Sequence, residues 1–254
     1  DEYVKKGRAW LEEVSKHLII FDSKLNRDSF YSTFSKILEQ HGTTEVAEGG
    51  KRKIYTPDDP DEVIVGVVDH LGLVTPMPGS TKKMEMDAVS NYAVTFRERC
   101  GASFVFLQQE NRNSADINRV KMNRTECSSE DLSDTSVTFN DCEVCVGVYY
   151  PLKHKQKVCH EFPIIAEDAV GGFKGLRDRF RSLTLIKNRR GETDKYDDVN
   201  FFGEIGLFRE LPDPNQISDF RQYPSLKYKP KENPSDFPQN NEFEEALTNV
   251  TFDL

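Results

Sequence analysis

The sequence predicts an α/β fold, with a mostly parallel sheet flanked by helices and an antiparallel hairpin toward the C-terminal end. An apolar, β-branched run at 63–69 and a second strand-like run at 103–109 are separated by a long segment of helical periodicity. A third such run follows at 143–150, and Gly191 lies between two more, as the turn of a hairpin would. Alternating strands and helices are typical of a parallel sheet, and the hairpin suits one edge of it.

The N-terminal part predicts two helices separated by a short strand. Apolar residues recur at helical spacing in 4–17, and a second helix is expected between the cap residues at 22–23 and a stop at Gly42. Between the helices, the LIIF stretch at 18–21 predicts a short buried strand. The segment 43–53 is polar and predicts a loop.

The longest predicted helix covers 81–100 and lies between the first two apolar strands. Its apolar positions recur every three or four residues, and Gly101 is the expected residue just beyond its end. A short helix is predicted within 131–142. A strand is predicted at 183–187 and its return strand at 199–211.

The sequence predicts one domain over 1–211 and a flexible tail over 212–254. Six of the twelve prolines fall in the tail, with Asn, Lys, Glu and Asp between them, and such a composition favours disorder. Within the tail, 242–250 has the pattern of a short docking helix.

Composition and charge narrow the class of protein. A chain of 254 residues is long enough for a sizeable core, and its net charge of −9 excludes a globally basic nucleic-acid binder but not a local basic groove. No apolar run reaches the roughly 18 residues that a membrane helix needs, and no secretory signal opens the chain. We therefore expect a soluble, cytoplasmic protein.

Five scattered cysteines predict reduced thiols rather than a disulfide framework: Cys100, Cys127, Cys142, Cys145 and Cys159. The single C-x-x-C, Cys142 to Cys145, has the spacing of half a zinc site. It runs into an apolar strand, where these two positions are expected on opposite faces, and no second C-x-x-C follows. We therefore expect no zinc site there.

Polar side chains close the first two apolar strands, Asp69 after the first and Gln109 after the second. In open parallel sheets ligands bind at this carboxyl edge. A carboxylate there can hold a Mg²⁺-bound water beside nucleotide phosphates, and an amide can sense a phosphate oxygen or position a water. Aspartate is also common at turns, so spacing alone leaves both roles open for Asp69.

A cluster of positive charge ends the strand in "LTLIKNRRG". Lys187 and Arg189, at i and i+2, share one face of a strand, whereas Arg190 points the opposite way. Two cations on one face suit a polyphosphate. The alternative is a solvated hairpin end with Glu192 and Asp194 as local partners.

Taken together, these motifs resemble the RecA-like motor domain of hexameric, DnaB-type replicative helicases, over roughly 18–211. "VIVGVVDHLGLV" resembles the family's Walker B strand, which implies that Asp69 coordinates Mg²⁺. "FVFLQQENR" resembles its "LSQLNR" motif, which implies that Gln109 senses the γ-phosphate, with Asn111 and Arg112 as companions. "LIIFDSKLNRDSFYSTFSKIL" resembles the strand and helix that precede Walker B.

Two later segments extend the resemblance. "DLSDTSVTFNDCEVCVGVYY" resembles the family's "DLRGSG…EQDADVVLFLYR" segment, with matches or near matches at Asp131, Leu132, Thr135, Asn140 and Asp141. "LTLIKNRRGETDKY" resembles "IIAKQRNGPTG", so that Lys187 and Arg189 fall on its Lys-x-Arg pair. The resemblance implies that this pair reaches a neighbouring subunit's nucleotide, as an arginine finger in trans.

The sequence also departs from the family. It contains no G-x-x-x-x-G-K-[ST] phosphate loop, which the family places upstream of the region matching residue 18, so the predicted core is an incomplete P-loop NTPase. Either the chain is the C-terminal part of a longer helicase, which its non-Met start favours, or it is a degenerate relative. As written, it is expected neither to bind ATP tightly nor to hydrolyse it. Ser133 replaces a family arginine.

Basic residues in two segments are candidates for single-stranded DNA contact. Lys82 and Lys83 belong to 75–83, and the polar segment 110–130 holds Arg112, Arg119, Lys121 and Arg124. That segment has no aromatic residue, so base stacking is not expected. A solvated surface loop is the alternative.

The resemblance implies ATP and Mg²⁺ as cofactors, single-stranded DNA and a homo-hexamer as partners, and a primase or loader as further candidates. The first hypothesis is an ATP-driven DNA helicase, from a phage or mobile element. The second is a RecA- or KaiC-like ATPase that does not unwind. The third is a non-catalytic DNA- or protein-binding module that has lost its phosphate loop.

Overall fold

The computed structural model describes residues 2–46, 53–110, 119, 125–132, 136–166 and 172–225. The chain divides into two compact units. The first comprises Asp1–Asp22, Tyr150–Ser182 and Asp197–Leu254, and the second Ser23–Tyr149 and Leu183–Tyr196. The residues that the sequence assigns to nucleotide chemistry all belong to the second unit.

The α-helices are α1 (Glu2–Ser15), α2 (Arg27–Gln40), α3 (Lys82–Cys100) and α4 (Val137–Asp141). In α3 the Thr81 hydroxyl accepts a hydrogen bond from the Met84 N–H at 3.2 Å, and Gly101 ends the helix at φ 72°. The predictions of α3 and of the short helix α4 are thus confirmed. None of the described helices is both long and apolar enough to cross a bilayer.

The strands are β1 (Gly42–Val46), β2 (Lys53–Pro57), β3 (Val65–Val68), β4 (Ser103–Phe106), β5 (Val144–Tyr149), β6 (Val158–Cys159), β7 (Phe162–Pro163), β8 (Phe180–Asn188), β9 (Tyr196–Phe202) and β10 (Leu207–Glu210). β3 and β4 form a parallel pair, β1 with β2 and β6 with β7 form antiparallel pairs, and a four-stranded sheet has the order β10-β9-β8-β5. The molecule is therefore α/β, as predicted, with its parallel pairing at β3 and β4.

The core of the second unit lies between α2, α3 and one face of β3 and β4. Phe30 of α2 and Met86 and Val89 of α3 are almost fully buried, and the rings of Phe34 and Phe104 meet edge-on at 4.8 Å. Their burial removes a large apolar area from water, which is the main favourable term in folding.

Gly66 allows β3 to lie against this aromatic core. A Cβ built at Gly66 would lie 2.4 Å from the Phe34 ring and 2.8 Å from the Phe104 ring. The neighbouring residues, Val65 and Val67, are 53% and 63% exposed. A continuously apolar run such as 63–69 is typical of a strand covered on both faces, but in the described residues one face of β3 packs and the other is exposed.

Three of the other local predictions are wrong. The LIIF stretch at 18–21 is not a buried strand; it has no regular structure and its four apolar side chains are at least half exposed. The second helix is capped by Asn26, whose side chain accepts from the Ser29 N–H at 2.9 Å, and not by Asp22 or Ser23. The segment expected as a polar loop contributes β1 and the start of β2, because cross-strand hydrogen bonds can pair polar residues.

The predicted return strand at 199–211 is two strands. β9 and β10 pair antiparallel, with Phe202 opposite Leu207, and Gly206 takes a positive φ of 66° in the connecting turn. The hairpin around Gly191 is confirmed: the Leu185 N–H donates to the Lys195 carbonyl at 2.8 Å.

The first unit has its own aromatic core. The buried rings of Phe162 and Phe180 have centroids 5.3 Å apart, and Phe202 is fully buried. Beyond β10, Tyr223 is also buried, and its carbonyl accepts a hydrogen bond from the Asn200 side-chain amide at 2.6 Å. The predicted helix at 242–250 lies outside the described residues.

Candidate functional site

The parallel pair β3–β4 brings the ends of both strands to one edge of the second unit. Val68 lies opposite Phe106, the Leu107 N–H donates to the Val68 carbonyl at 3.0 Å, and the Leu71 N–H donates to the Leu107 carbonyl at 2.9 Å. Asp69 and Gln109 follow these strands at the same edge, and both side chains are exposed. The Asp69–His70 peptide bond is cis. At this edge an exposed carboxylate can accept hydrogen bonds from Mg²⁺-bound water, and an exposed amide can donate to a phosphate oxygen.

Gln108, the residue before Gln109, connects the end of β4 to α4. Its side-chain oxygen accepts a hydrogen bond from the hydroxyl of Thr138, a buried residue in the first turn of α4, at 2.8 Å. Because successive side chains of an extended chain point to opposite sides, Gln108 contacts α4 while Gln109 faces solvent. The end of β4 is therefore joined to α4 by a direct hydrogen bond.

The C-terminal end of α4 contacts Lys187 and Arg189, the two cations that the sequence predicts on one face of a strand. The Lys187 ammonium donates to the carbonyl oxygens of Phe139 and, at 3.0 Å, Asn140. One guanidinium nitrogen of Arg189 donates to the same Asn140 oxygen at 2.5 Å, and the other to the Glu143 carboxylate at 3.0 Å. Cations stabilise a helix C-terminus because its last carbonyls have no partner within the helix.

The sequence prediction that these two cations share a face agrees with this arrangement. Both reach the same end of α4, whereas the side chain of Arg190 is exposed. Glu192, considered above as a local partner, pairs with Lys195 at 2.5 Å. In this chain the cations thus contact carbonyl oxygens and Glu143.

Glu143 lies between two arginines. The same carboxylate oxygen that accepts from Arg189 lies 3.4 Å from a guanidinium nitrogen of Arg97, which also donates to the Asp141 carbonyl at 3.1 Å. The Asp141 carboxylate accepts from the buried Ser90 hydroxyl at 2.6 Å. Because Arg97 and Ser90 both belong to α3, the C-terminal end of α4 is fixed to the longest helix of the unit.

Cys142 follows α4 and, contrary to the prediction, does not belong to β5, the strand that contains Cys145. The chain bends at Glu143, before β5 begins, so the usual alternation of a strand does not hold across this pair. The Cys142 thiol lies 3.2 Å from the Phe139 carbonyl oxygen, its acceptor. A hydrogen bond from the Cys145 thiol, and then the charges of Lys187 and Arg189, lower the pKa of Cys142 to about 7.

Of the residues predicted to contact DNA, Lys82 and Lys83 are exposed to solvent, whereas Arg119 contacts a buried carboxylate. Lys82 and Lys83 form the exposed first turn of α3. Arg119 forms an ion pair with the buried carboxylate of Asp131, and it also donates to the Glu126 carbonyl at 3.1 Å. Burial acts to raise the pKa of Asp131, but hydrogen bonds from Arg119 and Ser128 outweigh it and hold that pKa low. Asn111, Arg112, Lys121, Arg124, Ser133 and Thr135 lie outside the described residues.

Sequence reasoning missed the residues that hold the basic pair and α4 in place: Arg97, Gln108, Thr138 and Glu143. Of these four residues, Glu143 is the one whose position in the sequence could have indicated a contact with the basic pair. It is the acid next to Cys142 in the segment that resembles the helicase family, where an Asp is usual. A charge at that point, directly after a short helix, is positioned to meet the basic strand end.

No protein-family model and no curated protein matches this sequence. Solved structures do match. A DnaB-like replicative helicase, described with its interactions with primase, superposes with a TM-score of 0.55 at 14% identity, over 80% of this chain and 40% of that one. A second solved structure, described as an ATPase domain, superposes with a TM-score of 0.50 at 12% identity, over 74% of this chain and 52% of that one.

The chain thus has the fold of the ATPase domains of DnaB-like helicases, and the resemblance seen in the sequence is confirmed for the fold. It spans about half of each of these two longer chains or less.

Proposed function

We propose that this chain, which has the fold of a DnaB-like helicase ATPase domain, is part of an ATP-dependent replicative helicase motor that unwinds duplex DNA while it encircles one strand. The observation that supports this most directly is the arrangement around α4. One end of α4 contacts the end of β4 through Gln108, and the other end holds Lys187 and Arg189. A nucleotide-sensing edge and a basic pair are thereby mechanically connected.

At the strand edge, Asp69 would hold the water shell of Mg²⁺ and Gln109 would contact the γ-phosphate. Both side chains are exposed at the carboxyl end of the parallel pair, where they can reach a ligand without displacing protein contacts. MgATP would supply the phosphoryl group for hydrolysis. The sequence contains no phosphate loop, so we propose that this loop comes from a segment outside it.

We propose that Lys187 and Arg189 act on the nucleotide of a neighbouring subunit in a homo-hexamer. Arg189 is 45% exposed and lies at the end of a strand, so its planar guanidinium can exchange Glu143 for a phosphate with little rearrangement. Lys187 is more enclosed, and its ammonium lies 4.9 Å from the centre of the Phe139 ring. Arg189 is therefore the better candidate for contact in trans.

For DNA, we propose that Lys82 and Lys83 contact the phosphate backbone, because both are exposed in the same turn of α3. Arg112, Lys121 and Arg124 remain candidates from the sequence. Arg119 would instead anchor its segment through Asp131. Since one solved relative is described together with primase, a primase is a candidate partner.

The test mixes two inactive variants of the protein that carries the phosphate loop. Arg189→Ala subunits and Asp69→Ala subunits are combined in varying ratios, and ATPase activity is measured against composition. If Arg189 acts in trans, mixed rings contain some sites with an intact Asp69 and a neighbour's intact Arg189, so the curve is non-additive. Arg190→Ala is the matched control and should leave activity unchanged. Strict additivity would argue against action in trans.

A RecA-like ATPase without unwinding activity is the alternative that shares this geometry. A strand-displacement assay on forked DNA separates the two, since both hydrolyse ATP but only the helicase releases the strand. A non-catalytic binding module predicts that neither activity depends on Asp69 or Arg189.

A further inference from the structure

One face of the parallel pair β3–β4 is open to solvent although its side chains are mostly apolar. This bare face is formed by five residues, each between 42% and 69% exposed: Val63, Val65, Val67, Val105 and Leu107. The runs 63–68 and 103–107 contain no charged residue. Contiguous apolar surface of this kind marks a site of contact with another protein element.

The strand register shows that these side chains share one side of the pair. Val67 lies opposite Val105 in a parallel pairing, and side chains at paired positions point to the same side. The alternate positions, Gly66 and Phe104, are also paired, and they face the aromatic core beneath α2 and α3. In the part of the chain that the structure describes, that side is filled, so a further element can pack only on the bare face.

The carboxyl edge next to the bare face bears Asp69 and Gln109. A loop of the type G-x-x-x-x-G-K-[ST] connects a strand to a helix, and that helix begins at the bound phosphates. Because ligands of open parallel sheets bind at the carboxyl edge, such a helix begins beside Asp69 and Gln109 and runs back along one face of the sheet. The face toward α2 and α3 is occupied, which leaves the bare face.

We propose that the bare face is the docking surface for the helix that directly follows the phosphate loop. This inference rests on the proposed function, which places that loop in a segment outside this sequence. The docking helix is amphipathic, with an apolar stripe toward the valines, because the bare face offers it no charged partner. This chain matches only 40% and 52% of the two similar solved chains, so each of them has segments beyond the matched part.

A second copy of the chain is the competing occupant. Two copies could cover their valines face to face, as in a two-fold symmetric dimer. Such a dimer would bring no phosphate loop to the edge where Asp69 and Gln109 are exposed. The helix of the phosphate loop covers the valines and completes this edge with one segment, and it is therefore the favoured occupant.

The first experiment compares Val67→Cys in this chain alone and in the protein that carries the phosphate loop. Both are treated with a maleimide, and modification at position 67 is followed by peptide mapping. The rate should be about tenfold or more lower in the protein with the loop, because a covered side chain reacts only when its cover opens. Val46→Cys is the matched control, since Val46 in β1 is 61% exposed against 63% for Val67, and its rate should be equal in both.

The second experiment identifies the occupant. A photoreactive benzoylphenylalanine in place of Val67, in the protein with the loop, should cross-link to the first turns of the helix after G-K-[ST]. A cross-link to a second copy or to another segment, or equal Val67→Cys rates in the two proteins, would overturn the proposal. ATP hydrolysis is measured separately. Hydrolysis with a fully reactive position 67 refutes only the docking surface, whereas protection and the expected cross-link without hydrolysis refute only the proposed function.

Discussion

Lys187 and Arg189 donate to one atom, the carbonyl oxygen of Asn140, at 3.0 and 2.5 Å. Two positive charges that share an acceptor repel each other, so the arrangement requires compensating negative charge. The carbonyl oxygens at the end of α4 and the Glu143 carboxylate supply it. The pair is thus held at the C-terminal end of α4 by carbonyl and carboxylate oxygens.

Removal of the Lys187 ammonium should destabilise the chain through α4. We expect Lys187→Met to lower the free energy of unfolding by about 1–2 kcal/mol, because two helix-end carbonyl oxygens lose a charged donor. Urea unfolding followed by circular dichroism measures it. Lys195→Met is the matched control, since the Lys195 ammonium pairs with the exposed Glu192 and its removal should cost under about 0.5 kcal/mol. Equal urea midpoints for the two variants would contradict the capping role.

Neutralising Glu143 should release Arg189 without unfolding the protein. Both partners are partly exposed, so Glu143→Gln should change the free energy of unfolding by less than about 1 kcal/mol. In the protein with its phosphate loop, ATPase activity should be retained or rise several-fold, because Arg189 no longer has to leave a carboxylate. Glu192→Gln serves as the control. A loss of activity as deep as that of Arg189→Ala would show that Glu143 positions the arginine for catalysis.

How far the sequence predicts this region depends on whether the signal is local. The extent of helix α3 and its terminal glycine were predicted because both depend on a few neighbouring residues. The association of Lys187 with Arg189 followed from strand periodicity alone. The partners of this pair lie more than 40 positions earlier in the chain, at Asn140 and Glu143, and no local pattern specifies them.

The wrong predictions for 43–53 and for the LIIF stretch also arise where structure depends on distant parts of the chain. The polar segment that becomes β1 has four of its five residues exposed, so it shows no apolar alternation from which a strand could be inferred. The LIIF stretch shows the opposite error, because four consecutive apolar residues predict burial but burial requires a surface to pack against. The sequence also placed Cys142 on one strand with Cys145, but the bend at Glu143 separates Cys142 from β5.

Gly66 should tolerate no side chain. Gly66→Ala places a methyl group against the Phe34 and Phe104 rings at 2.4 and 2.8 Å, and overpacking of this kind costs about 1–3 kcal/mol. Gly7→Ala is the control, because it lies in α1 with nothing within 4 Å of the added carbon and should be neutral or slightly stabilising. Thermal unfolding of both variants checks the difference. An unchanged midpoint for Gly66→Ala would mean that the aromatic core can move aside.

Acid should destabilise the second unit through two buried carboxylates. Burial acts to raise the pKa of Glu85, but hydrogen bonds from Ser80 and the Arg27 backbone, together with the Arg27 charge, lower it overall. The pKa of Asp131 is likewise lowered. Because both values lie below those of the unfolded chain, the unfolded state binds protons first, and this stabilisation is complete above the unfolded values and lost as pH falls through the folded ones.

Unfolding measured in urea from neutral pH to pH 3 should therefore show a falling midpoint for wild type. Glu85→Gln and Asp131→Asn should each be less stable at pH 7 and less sensitive to acid. Glu192→Gln, on the exposed hairpin, should follow the wild-type curve. If Glu85→Gln or Asp131→Asn keeps the full acid sensitivity of wild type, the carboxylate removed in that variant does not contribute to the loss of stability in acid.

The bare face of β3 and β4 has a consequence for handling the isolated chain. Val63, Val65 and Val67, in or just before β3, and Val105 and Leu107, in or just after β4, are all more than 40% exposed, and they belong to short, uncharged, apolar runs. Runs of this composition readily form intermolecular cross-β structure when they are uncovered. The chain on its own is therefore expected to bind hydrophobic dyes and to form fibrils with time, and an added partner that covers these valines should slow the growth of fibrils.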